Sequence, residues 1–310
     1  MSVAESAGLL PKNSWDSHIH IIDPERYAMD PYRDYTPKAA TVKNATEWQH
    51  QHNITHSVIV LPSVYGTNNS VLLDALEAFK GTARGVCVVD PDKVTNETIA
   101  QYHAAGVRGV RVNTGNEGIN EEIVALVKKN ARIAALHNWA LQLWIPIRAF
   151  KELGDVIPTL GVRVVVDHYG HAMVGSRTGN YSDTIDPYTI EGFPELIKLI
   201  QQKHVFVKLS APYQNSKLAP LYEDMRVVAD VIMANGPDMV VFGSDWPHTA
   251  SKEGNAAAGG RLSPQEFRKI DDAGLIAQTV RWAGSEQQVQ RLFVDNPRRL
   301  WQYYENETLS

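Results

Sequence analysis

Apolar, largely β-branched runs return along the chain at intervals: WDSHIHII (15–22), THSVIVLP (55–62), ARGVCVVD (83–90), VRGVRVN (107–113), LQLWIPI (141–147), VRVVVDH (162–168), HVFVKLSA (204–211) and MVVFGSD (239–245). Between them lie segments whose apolar residues repeat at helical spacing, among them SVLLDALEAF, INEEIVALVKKNARIAALHN, FKELGDVIPTL, PELIKLIQQ and LYEDMRVVADVIMAN. Strand and helix alternate throughout. Strands that are nearly continuous in apolar character imply burial on both faces, the mark of a parallel sheet covered by helices. Eight such units predict an α/β fold, a single (β/α)8 TIM barrel domain spanning residues 1–310. The competing doubly wound sheet would carry a Gly-rich phosphate loop after its first strand, where this chain has HIHIIDPERY.

Three long loops leave the C-terminal ends of strands: MDPYRDYTP after the first, residues 171–187 after the sixth and SKEGNAAAGGRLSP after the eighth. Loops of this length on a compact domain are expected to be lids or binding loops. Helical segments from about Asp271 to Tyr304 form a C-terminal extension that caps the barrel or joins copies, which leaves a homo-oligomer open. The 310 residues, 44% hydrophobic and 21% charged, can bury a large core. A net charge of −5 provides no basic footprint for nucleic acid or an anionic membrane, and no window approaches the ~20 apolar residues of a span. With no signal-like N-terminus, the expected location is the cytoplasm and the expected partner a small molecule. The lone Cys87, in RGVCVV, can form neither an intrachain disulfide nor a thiolate cluster and reads as packing.

The first run departs from its apolar pattern regularly. Asp16, His18 and His20 alternate, and residues two apart on a strand project from one face. A single histidine there would read as a core residue bonded to a carbonyl; a pair at the end of a strand suggests a site. The other strand ends contribute Ser63 and Tyr65, Arg111 and Asn113, Arg148, His168 and His171, Ser210 with Tyr213 and Gln214, and Asp245 with His248. In a barrel these converge over one pocket. Arg111, inside an apolar strand, should face an anion. Asp167 is expected to point away from its neighbour His168, and His50, His52, His103 and His137 read as solvated or structural.

The blocks DSHIHIIDPERY, LPSVYGTNN, GVRGVRVN, VVVDHYGH, VKLSAPY, FGSDWPH and DNPRRLW together resemble the amidohydrolase superfamily, in the branch related to 2-pyrone-4,6-dicarboxylate lactonase. In that superfamily H-x-H usually binds a divalent metal with a strand-5 His, a strand-6 His and a strand-8 Asp, often with a carboxylated strand-4 Lys. Here strand 4 ends in Arg111 and strand 5 ends LWIPIR, so the Lys and the strand-5 His are missing. The resemblance to the lactonase branch implies hydrolysis of a carboxylated lactone or similar cyclic ester, in carbohydrate or aromatic catabolism, without a cofactor. His18, His20 and His168 would then surround the oxyanion, and Asp245 would activate water. Ser63, Tyr65, Arg111, Arg148, Tyr213, Gln214 and His248 would bind the substrate. The alternative is a Zn- or Mn-dependent hydrolase or non-oxidative decarboxylase, with one divalent ion on His18, His20, His168 and Asp245. Gln214 stands where the resembling lactonases tend to carry an Arg, which implies a preference for a monocarboxylate unless Arg148 or Arg177 supplies the missing cation.

Overall fold

A computed structural model describes residues 2–115, 120–179 and 185–304. Eight parallel strands pair in sequence order: β1 (Trp15–Ile19), β2 (His56–Val60), β3 (Ala83–Cys87), β4 (Val107–Asn113), β5 (Ala140–Trp144), β6 (Arg163–Val166), β7 (Val205–Leu209) and β8 (Val240–Phe242). They form the wall of a (β/α)8 barrel, and helices including Ser70–Ala78, Glu121–Leu136, Phe193–Gln201 and Arg226–Asn235 cover it. Val58, Val60, Val86, Val110, Leu141, Leu143, Val164 and Val207 are almost completely buried, as continuous apolar strands require. Among the described residues no helix is long and apolar enough to cross a membrane.

Local chemistry sets the helix limits. The Asn120 side chain accepts a hydrogen bond from Ile123 N and starts Glu121–Leu136, with Glu121 and Glu122 favourably placed in the first turn. The expected helix over 150–160 is shorter than its pattern. It ends at Leu153, followed by a 3-10 turn at Ile157–Thr159, because Gly154 and Pro158 interrupt it.

The seam between β8 and β1 is closed by backbone bonds beyond the strands, Asp245 N to His18 O at 2.9 Å and His20 N to Trp246 O at 2.8 Å. Asp16 reinforces it. Its Oδ1 accepts from His18 N and Ser244 N, each at 2.9 Å, and its Oδ2 accepts from the Ser244 hydroxyl. The register of β1 shifts between Asp16 and Ile19, so Asp16 does not join His18 and His20 at the mouth as simple alternation predicts. It fastens the barrel. Asp16→Asn keeps the acceptor for both amides but strands the Ser244 hydroxyl. It should cost about 1 to 3 kcal/mol in denaturant unfolding, the penalty for one buried unsatisfied group.

The C-terminal segment caps the barrel. Trp301 is fully buried, donates from Nε1 to Ser17 Oγ at 3.1 Å and lies with its ring centre 5.3 Å from Lys208 Nζ. On the opposite face, Thr36–Pro37 pairs with Pro264–Gln265 and ties the loop after β1 to the loop after β8. Of the long loop expected over 171–187, residues 180–184 lie outside the described residues.

Candidate active site

The backbone at the strand ends leaves the extended conformation abruptly. His168, Tyr169, His171, Ala211, Asp245 and His248 all have φ between 46° and 67°. Non-glycine residues enter this left-handed region at a cost, and their clustering at the mouth marks a place where side-chain direction outweighs backbone comfort. One result corrects a sequence-based expectation. β6 ends at Val166, so strand alternation no longer governs Asp167 and His168, and both reach the centre.

A cavity of about 240 Å³ opens there. Its wall includes His20, Ser63, Arg111, His168, Gln214 and Asp245 from the expected set, with His171 and Asn113. Tyr35, Arg177 and Arg268 line it too. His18 lies beneath it, without solvent exposure. Tyr213 stands behind Asp245, and His248 behind Tyr213. The Tyr213 hydroxyl donates to Asp245 Oδ2 at 2.6 Å and lies 3.4 Å from His248 Nδ1, while His248 Nε2 meets Asp272 at 3.1 Å. Tyr65 turns aside, its hydroxyl accepting from Asp23 N, and Arg148 is exposed on the turn Ile147–Ala149, outside the cavity wall.

At the floor, His18 Nε2 and His20 Nε2 are 3.3 Å apart, and Asp245 Oδ1 is 3.5 Å from the first and 3.3 Å from the second. His20 Nδ1 lies 2.8 Å from the Val60 carbonyl oxygen, which can only accept, so this nitrogen carries a proton and a neutral ring has its lone pair on Nε2. His168 Nδ1 is 2.8 Å from Ser210 Oγ. Burial alone would raise the Asp245 carboxyl, but the surrounding His168, His20 and His18 outweigh it and hold the group below its ordinary value. Burial and the Asp245 charge push the Tyr213 phenol well up, so it remains a donor.

Beneath His18 lies a charge cluster that motif reading missed. Lys208 on β7 has no solvent exposure, and its Nζ lies 2.8 Å from Gln142 Oε1, 3.4 Å from Asp167 Oδ1 and 3.3 Å from His18 Nδ1. Asp167 Oδ2 accepts from Arg111 and from Gln142 Nε2, each at 3.0 Å. The anion that Arg111 requires is therefore already present in the protein. Asp167 is held well below the usual carboxylate range: burial would raise it, but Lys208, His18 and Arg111 prevail. Burial lowers Lys208 to about 8, and burial and Lys208 together hold His18 well below the usual histidine range. A signal existed in the sequence. A lysine amid the apolar run VFVKLSA raises the same question as Arg111, namely what partner it has.

The spacing of three donors would suit a small divalent ion. Separations of 3.3 to 3.5 Å match the ~3.3 Å edge of a tetrahedron whose metal–ligand bonds are about 2.0–2.1 Å. The next layer does not match the superfamily's metal set. On β5, Gln142 is engaged at both ends of its amide, and Lys208 presses an amine against His18.

A (β/α)8 barrel with a histidine–carboxylate site at the C-terminal ends of its strands defines the amidohydrolase class of barrels. The chain belongs to the amidohydrolase family, whose sequence profile matches residues 15–302. It is similar to the 4-sulfomuconolactone hydrolase of Hydrogenophaga intermedia, 28% identical across 94% of this chain and 90% of the relative. It is also similar to the 2-pyrone-4,6-dicarboxylate hydrolase of Comamonas testosteroni, 27% identical across 94% and 91%. The apo crystal structure of an Agrobacterium tumefaciens protein, 19% identical, has the same fold, with a TM-score of 0.76 over 95% of this chain and 97% of that one.

Proposed function

We propose that the protein hydrolyses a carboxylated lactone or closely similar cyclic ester, as a cytoplasmic enzyme using its own side chains and no resident metal. The observation that carries this reading is the Asp245 carboxylate, held by Tyr213 and set 3.3 Å from His20 Nε2 at the floor of an arginine-lined cavity. Asp245 lines the cavity, and the attacking water donates to its carboxylate. Water adds through oxygen to the lactone carbonyl carbon as its proton passes to Asp245, and the carbonyl π electrons move onto oxygen. Collapse restores the C=O bond and breaks the ring C–O bond, and the proton on Asp245 goes to the departing oxygen. The new carboxylic acid then ionises and releases one proton to solvent.

The placement of the histidines divides their roles. His168 lines the cavity, and with its Nδ1 accepting from Ser210 its Nε2–H is the donor to the oxyanion, in reach of support from Arg111. His18, expected beside it, works from beneath the floor, and His20, with Nδ1 donating to Val60, faces Asp245 through Nε2. Against a resident metal stand the absence of a histidine on β5, whose Gln142 is engaged at both ends of its amide, and the amine at His18 Nδ1.

Arg177 and Arg268 line the cavity with Gln214, so cations are present although Gln214 itself is neutral. Arg111 is already paired with Asp167 and offers a substrate anion less than a free guanidinium would. Asp34 and Glu253 line the same wall and offset part of the positive charge of Arg177, Arg268 and Lys252, so the expected substrate has one carboxylate, bound near the two arginines. A pH-indicator assay over lactones with no, one and two carboxylates tests this. Proton release should be fastest for a monocarboxylate, and Gln214→Arg should shift kcat/KM toward the dicarboxylate by about tenfold or more, the value of one charge-assisted hydrogen bond. No hydrolysis of any lactone would overturn the function; efficient wild-type turnover of the dicarboxylate, unimproved by the substitution, would overturn the specificity.

A further inference from the structure

We infer that Lys208 is a positioning residue that locks His18 in the tautomer with its proton on Nε2, and that this proton, in place of a metal ion, ties His18 to the two acceptors it faces at the floor of the site, His20 Nε2 and Asp245 Oδ1. The inference rests on the metal-free reading above. An ammonium group has three N–H donors and no acceptor. Around Lys208 Nζ stand two hydrogen-bond partners, Gln142 Oε1 at 2.8 Å and His18 Nδ1 at 3.3 Å, with the Asp167 Oδ1 counter-charge 3.4 Å away. The lysine is buried among strands and against the Trp301 ring, with Asp167 as counter-charge, so it is held as a cation.

The consequence for His18 is geometric. A proton on Nδ1 would have Asp167 Oδ1 within 3.4 Å, but it would also oppose the nearer Lys208 ammonium across 3.3 Å. With Nδ1 accepting, a neutral ring has its proton on Nε2, directed at His20 Nε2 and Asp245 Oδ1. With its Nδ1 donating to Val60, a neutral His20 ring has its lone pair there, and Asp245 is an acceptor. The donors then run in one direction, from Lys208 to His18 and from His18 to the base. In the other tautomer the same corner holds three lone-pair atoms 3.3 to 3.5 Å apart with no proton between them, which is a ligand set for a divalent cation. Lys208 selects between the two.

Histidine-selective 15N NMR on the intact wild-type protein tests the first step, with the His18 signals assigned by their loss in His18→Gln. The expected result is an unprotonated Nδ1 and a protonated Nε2. A proton on Nδ1 overturns the inference even if the enzyme is active and free of metal. Lys208→Met, of similar length and without charge, tests the second. The His18 proton should move to Nδ1, where Asp167 Oδ1 lies 3.4 Å away, and kcat should fall about 10²-fold or more with little change in KM. Zn²⁺ titrated into the folded variant should bind at one per chain, measured calorimetrically, where the wild type binds none tightly. An unchanged His18 signal with unchanged kcat overturns the inference. If Lys208→Met fails to fold, the wild-type tautomer alone decides. Stoichiometric metal in active wild type, with activity lost on chelation and restored by Zn²⁺ or Mn²⁺, overturns the metal-free reading instead.

Discussion

Asp245→Asn should lower turnover by about 10² to 10⁴-fold, the contribution of a positioned general base, while leaving the fold in place. The substitution preserves an oxygen that can accept from Tyr213 and removes the negative charge to which the proposed mechanism passes the proton of water. Because the His168, His20 and His18 rings hold the carboxyl below its ordinary value of 3.8 despite burial, the base stays ionised as pH falls through the usual carboxylate range. The acid limb of kcat/KM attributable to Asp245 should therefore lie below that range and not within it. A carboxylate so stabilised is a weak base toward free water, and it takes the proton as the water's acidity rises on bonding to carbon. Steady-state kinetics on the best lactone, with circular dichroism to verify folding, measure the effect. Near-normal turnover in folded Asp245→Asn would remove Asp245 from the mechanism.

A second large effect is expected on stability. Asp167 is fully buried between Lys208 and Arg111, and Asp167→Asn keeps its shape while leaving both cations without their shared counter-charge. Breaking a buried ion pair from one side costs about 3 to 5 kcal/mol. With an unfolding entropy of about 2.1 cal/mol/K per residue, that corresponds to a fall in Tm of roughly 5 to 8 °C for a chain of this size. The sign with pH follows from the depressed folded value. The carboxylate stabilises the fold fully above its unfolded value near 3.8 and loses that contribution as pH falls through the folded one. Wild type and Asp167→Asn should differ most at neutral pH and converge only in strong acid. An equal Tm at pH 7 would show that the cluster contributes nothing to folding.

Sequence alone determined the barrel, because a strand buried on both faces must be apolar along its length, and that constraint is written locally in VRVVVD or MVVFGSD. It also marked strand ends that meet in space, since His18, His20 and Asp245 interrupt apolar runs at positions a barrel brings together. Tertiary structure decided what alternation could not reach. Asp167 and His168 both turn inward because β6 has already ended, and Asp16 becomes a seam clasp because β1 shifts register. Tyr65 and Arg148 leave the cavity wall because the turns after β2 and β5 point them elsewhere, whereas Tyr35 and Arg268 reach it from loops far apart in the chain. Lys208 was visible as a charge in an apolar run, but its meaning depends on Gln142, Asp167 and His18, which lie on three other segments. Burial pattern is a property of one segment and survives in sequence; hydrogen-bond partnership is a property of several, and exists only once the chain has closed.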